Sequence, residues 1–125
     1  MANQVYQSVA ATDISGTAAT GELMSAPFAG KIKIAECYVR AGEVVGSATT
    51  AATITLSAGG TTVATMTPSD VTLAAVGDTQ LFTSSITGDY YEFAAGDEIA
   101  TAHTQASGGT VTGTIYWHLA IEWAK

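Results

Sequence analysis

The chain has 125 residues, of which only 12% are charged, with 11 acids against 4 bases and a formal net charge of −7. That length suits a single domain with a real core, and so few cations exclude a broad basic footprint for a phosphate backbone. The lone cysteine, Cys37, excludes an intrachain disulfide and any metal site built from several thiolates, and no apolar run reaches the ~20 residues a membrane-spanning helix needs.

In chain order, residues 3 to 14 place Val5, Tyr6, Val9 and Ile14 among polar neighbours. This pattern predicts a strand, paired at a sheet edge or with a neighbouring subunit. The opening Met1-Ala2-Asn3-Gln4 has neither a basic region nor a long apolar stretch, so it does not read as a signal peptide. Gly16 to Gly21 reads as a loop, and Glu22 to Ala26 as a short strand stopped by Pro27, which cannot donate to a ladder. We therefore divide the chain into an N-terminal arm or edge strand (1–21) and a sandwich domain (22–125).

Pro27 to Gly30 reads as a corner leading into a strand from Lys31 to Arg40. Ile32 and Ile34 share a face, after which the apolar set changes parity to Cys37 and Val39. That slip implies a bulge or burial on both faces. Gly42 to Ala48 is loop-like. Ala52, Ile54 and Leu56 alternate with Thr53, Thr55 and Ser57, and Gly59-Gly60 then links to a strand from Thr61 to Met66, a strong hairpin signal. Val71 to Val76 reads equally as a strand or a single helical turn. Asp78 to Ile86 is a strand, Tyr90 to Phe93 a short aromatic one, and Glu98 to His103 another centred on Ile99.

The clearest element runs from Val111 to Trp123. Ile115, Trp117, Leu119, Ile121 and Trp123 fall on every second position, so a strand explains them and a helix would scatter them. Both tryptophans lie on the apolar face, and the core is expected around them. The predicted core is Ile32, Ile34, Ile54, Leu56, Ile99, Ile115, Trp117, Leu119 and Ile121. Turns recur every 8 to 12 residues or so, as in a sandwich or barrel. The fold class is therefore all-β: a jelly-roll-like antiparallel β-sandwich of about eight short strands.

The residues offer little for catalysis. His118 shares the polar parity of the last strand and reads as a surface or interface residue, and His103 sits near a strand end. Asp89, Glu92, Asp97 and Glu98 surround two turns, where Asp beside Gly is ordinary turn chemistry. Neither a G-x-S-x-G elbow nor a phosphate loop is present. No catalytic, cofactor or metal residue is assigned, and an enzyme is not expected. Among the aromatic residues, Tyr90 and Tyr91 are adjacent, so one of them must face outward and is a candidate for a ligand or an interface.

The run Ala26-Pro27-Phe28-Ala29-Gly30-Lys31-Ile32 resembles the first core strand of small jelly-roll decoration (cement) proteins of tailed-phage capsids. So do the Thr-rich strand Thr53 to Leu56, the Gly59-Gly60 hairpin, the segment Phe93-Ala94-Ala95-Gly96-Asp97-Glu98-Ile99, and the Gly-rich turn from Gly108 into the final strand. The resemblance covers residues 22 to 123 and rests on turns and strands. It implies a structural virion protein, a homo-oligomer and commonly a trimer, made in the host cytoplasm and seated on the major capsid protein at the virion surface. It implies no cofactor, no direct nucleic-acid contact and no membrane. Val5, Tyr6 and Val9, with Tyr90 and Tyr91, are the candidates for capsid or subunit contact. On this reading, deleting residues 2 to 14 abolishes capsid binding and leaves the oligomer folded. The competing reading is a carbohydrate- or receptor-binding β-sandwich module of a phage tail or fibre; a signalling trimer of the tumour-necrosis-factor type ranks behind it.

Overall fold

A two-residue hydrophobic period yields strands with one face to bury, and two such sheets bury each other. In the computed structural model the chain forms two antiparallel sheets around one core, described for residues 3–13, 18–43, 52–68, 73–105 and 112–124. In chain order the strands are β1 (Asn3–Asp13), β2 (Ala18–Ser25), β3 (Gly30–Lys33), β4 (Tyr38–Ala41), β5 (Ala52–Ala58), β6 (Thr61–Met66), β7 (Thr79–Leu81), β8 (Thr83–Ser84), β9 (Tyr90–Phe93), β10 (Glu98–Gln105) and β11 (Thr114–Trp123).

The first sheet is ordered β7-β4-β11-β3-β9, with β1 also paired to β11; the second is ordered β2-β10-β5-β6-β8. β4 and β3 lie end to end along one side of β11, and β1 runs along the other. If β3 with β4, and β7 with β9, are each taken as one broken strand, the first sheet reads first–eighth–third–sixth and the second reads second–seventh–fourth–fifth. That is jelly-roll connectivity, with β8 as a short addition at the edge of the second sheet.

Several boundaries differ from the sequence expectation. Ala18 to Gly21, expected in a loop, is the first half of β2. The expected single strand from Lys31 to Arg40 is two strands separated by a 3₁₀ turn, Ile34–Glu36, and this insertion is the cause of the parity slip. The expected strand from Asp78 to Ile86 splits at the buried Phe82: β7 pairs with β4 in the first sheet and β8 with β6 in the second. The final strand begins at Thr114, after Gly113 at φ 133°; Val111 lies outside the described residues. So do Val71 and Thr72. From Leu73 onward the chain forms no strand before Thr79, and Asp78 closes a turn by accepting the Ala75 N–H at 2.9 Å. The segment Gly42 to Ala48 is described only as far as Glu43.

Ile32, Ile34, Ile54, Leu56, Ile99, Ile115, Trp117, Leu119 and Ile121 are all at most 1% exposed and belong to one buried cluster. Trp117 stacks on Phe82 with ring centroids 5.4 Å apart. Trp123 departs from the expectation: it is only half-buried, because its row (Trp123, Gly30, Phe93) is the last that β11 shares with β3 and β9, at one end of the sandwich. That end is closed by two backbone hydrogen bonds, from Ala26 N–H to the Asp97 carbonyl at 2.8 Å and from Gly96 N–H to the Ala26 carbonyl at 2.7 Å.

Candidate binding surface

Residues paired across antiparallel strands share a face, so register shows what the first sheet presents outward. The inward set on β11 includes Ile115, Trp117, Leu119 and Ile121; between them lie Tyr116, His118, Ala120 and Glu122. Tyr116 pairs with Arg40, which pairs with Thr79; His118 pairs with Tyr38, which pairs with Leu81. Glu122 pairs with Lys31, which pairs with Glu92, and Lys33 pairs with Tyr90. This outer face therefore gathers Lys31, Lys33 and Arg40, three of the 4 bases in the chain, among aromatic rings.

The side chains hold one another in place. The Arg40 guanidinium lies 4.7 Å from the centroid of the Tyr116 ring and the Lys31 ammonium 5.0 Å from that of Tyr90. Tyr38 and His118 stack at 4.6 Å with an interplanar angle of 11°. Lys33 is ion-paired with Glu36. Leu81 remains 59% exposed on the same face, an apolar side chain left to solvent. Tyr and Arg are among the residues enriched at interface centres.

The outer face of the second sheet is different in kind. Thr53, Thr55 and Ser57 alternate with the buried residues of β5, and the Thr55 and Ser57 hydroxyls donate to the Ala102 and Ala100 carbonyls, each at 3.4 Å. On β5 and β10 its residues between Thr53 and Ala102 are small and uncharged, and its charge lies at the end where the exposed Glu98 sits.

Of the predicted contact residues, Tyr90 is the outward tyrosine, 37% exposed, while Tyr91 pairs with Ile32 and packs against the core. Val5 and Tyr6 stand in register with Ile121 and Ala120 of the same chain, and Val9 falls at the register shift between Ser8 and Ala11. The backbone of the N-terminal segment is thus a strand of its own sheet. The structure brings Tyr90 to the outer face but does not group it with Tyr91.

His118 is half-buried, its Nε2 enclosed without a hydrogen-bond partner among the described residues, and its pKa is lowered by burial first and by the Arg40 charge second. His103 lies two residues from the end of β10, buried in register with Ile54, and its Nε2 also has no partner among the described residues. Asp97 does turn chemistry: its Oδ2 accepts the Ala94 N–H at 2.9 Å. Among the described residues no three His, Cys, Asp or Glu side chains gather to hold a metal ion, and no helix is long and apolar enough to cross a membrane.

A second feature lies where β3, β9 and the end of β11 meet. A cavity of about 430 Å³ is lined by Ala29, Gly30, Lys31, Glu92, Phe93, Glu122, Trp123 and Ala124. Phe28, 62% exposed, sits edge-on to Trp123.

Comparison with family models, with curated proteins and with solved structures finds no match to this chain. Sequence reasoning missed Lys31, Tyr38, Arg40, Tyr116, Phe28 and Trp123 as surface residues. A signal for part of this set was available: Tyr116 shares the parity of His118 on the last strand. What joins them to Tyr38 and Arg40 is the register between β4 and β11, which spans more than seventy residues of chain.

Proposed function

We propose that this chain is a structural binding protein, a decoration protein that seats on the head of a tailed phage as a homo-oligomer and works without catalysis. The observation that carries this reading is the outer face of the first sheet, which presents Tyr38, Tyr90, Tyr116, His118, Arg40 and the exposed Leu81. Such a protein stabilises a shell by mass action: it binds the assembled form and adds its binding free energy to it. Many copies on one lattice make a modest affinity per copy sufficient. The reading needs a stiff scaffold, and a jelly roll is one. Two of the segments that carry the resemblance, around Ala26 and around Gly96-Asp97, hydrogen-bond to each other at one end of that scaffold. The partners on this reading are copies of the chain itself and the major capsid protein, at the virion surface, with no cofactor, nucleic acid or membrane involved.

The test is co-sedimentation of the full chain with empty heads assembled from the major capsid protein of the same genome, alongside its mass in solution by light scattering. Binding by the wild type, lost in Leu81→Asp and Arg40→Glu with folding intact, is the expected outcome. A wild-type chain that stays in the supernatant with such heads overturns the reading. The cavity beside Trp123 favours a second one, a carbohydrate- or receptor-binding module of a phage tail or fibre.

A further inference from the structure

We propose that the open edge of β1 joins two copies of this chain across a two-fold axis, β1 antiparallel to β1, so that the first sheet runs on from one copy into the next. This rests on the homo-oligomer part of the reading above and not on head binding. It makes the unit a pair, where the resemblance implies a trimer.

The two flanks of the sandwich are finished differently. On one flank the edge strands are short: β7 has 3 residues, β9 has 4 and β8 has 2. Short edges are one device that keeps a sheet from adding strands. On the other flank the edges are β1, with 11 residues, and β2, with 8, consecutive in the chain. Among the described residues β1 pairs only with β11, and β2 only with β10. Neither strand contains Lys, Arg or Pro, and their only acids are Asp13 and Glu22. A register shift between Ser8 and Ala11 interrupts β1, but Asn3 to Ser8 runs opposite Trp123 to His118 without a break. Along that uncharged stretch alternate residues turn their N–H and C=O groups away from β11.

The occupant follows from shape and charge. An antiparallel edge is complementary to itself: turned by a two-fold axis, its donors meet its own acceptors. On a chain of net charge −7, an edge without acids lets two copies meet without setting carboxylate against carboxylate. A two-fold axis normal to the sheets also sets β2 beside its own copy, in the second layer about 10 Å away. A single peptide strand would cover β1 and leave β2 open. Both copies then present the outer face of the first sheet, with Tyr38, Arg40 and Leu81, in the same direction. Two faces on one rigid pair bind one shell more tightly than either alone.

The full chain is measured by light scattering over a dilution series, with amide hydrogen exchange read by mass spectrometry at each concentration. The mass should shift from two chains to one on dilution. Exchange in Asn3–Ser8 should speed up with it, while Thr79–Leu81 and Tyr90–Phe93 stay unchanged. The double variant Gln4→Lys with Ser8→Lys sets like charges along the joined edges and should hold one chain mass throughout, with an unchanged circular dichroism spectrum. Should that variant misfold, wild-type exchange decides alone. A wild type that is monomeric or trimeric throughout, a pair that persists in the folded double variant, or Asn3–Ser8 exchange that does not follow the mass overturns the proposal. So does protection of Asn3–Ser8 that appears only when heads are added, which assigns the edge to a capsid strand. A monomer that sediments with heads overturns the pairing and leaves head binding in place; a pair that stays in the supernatant does the reverse.

Discussion

Cys37 is fully buried, and its thiol donates to the Lys33 carbonyl at 3.5 Å. Burial pushes its pKa up from 9.0 to about 11, with the Glu36 charge adding to the rise and a backbone hydrogen bond at Ala120 opposing it. A folded-state pKa above the unfolded one gives a contribution that is complete below pH 9.0 and lost as pH rises towards 11. The native thiol should therefore resist alkylation at pH 8 and react at once in denaturant, and Cys37→Ala should flatten the alkaline limb of a stability–pH curve. His118 has the opposite dependence. Its pKa is lowered in the folded state, so the unfolded chain takes up protons first, and stability falls as pH drops below 6.5. His118→Phe, which keeps a ring against Tyr38, should reduce that acid slope in urea titrations at pH 5 and pH 7. At Trp117, stacked on Phe82 and 1% exposed, truncation to Ala should cost about 3–5 kcal/mol, measured by denaturant unfolding.

At the scale of the element, hairpins and strand interiors were legible and interruptions were not. Gly59-Gly60 closes β5 on β6 with φ of 57° and 82°, as the residue pair demands. Gly60→Ala meets no neighbouring atom within 4 Å and tests backbone conformation alone; it should cost about 1 kcal/mol. Gly30→Ala tests packing instead, since its Cβ would press on the Glu122 backbone, and a loss of about 2 kcal/mol is expected in the same assay. The 3₁₀ turn at Ile34–Glu36 left a trace in the sequence as a change of apolar parity, but parity does not distinguish a bulge from an inserted turn. The split of 79–84 between the two sheets left none: Thr, Gln, Leu and Ser are compatible with either.

For the whole molecule, the position of β1 changes what a truncation means. β1 pairs with β11 at both ends of its length, from Asn3 opposite Trp123 to Asp13 opposite Thr114. Removing residues 2–14 would strip one side of the strand that carries Trp117 and expose its N–H and C=O groups. The truncated chain should unfold or aggregate rather than remain a folded oligomer, as size-exclusion chromatography and circular dichroism would report.

By itself the sequence determined the all-β class, the strand interiors and most of their inward faces. Those follow from a period of two and from glycine conformations, which are local properties of neighbouring residues. Only the tertiary structure decided which residues share the outer face and which line the cavity. Tyr116 meets Arg40, and Trp123 meets Phe93 and Phe28, through pairings between distant strands. No local preference encodes those pairings, because they are selected by how two whole sheets close over one core.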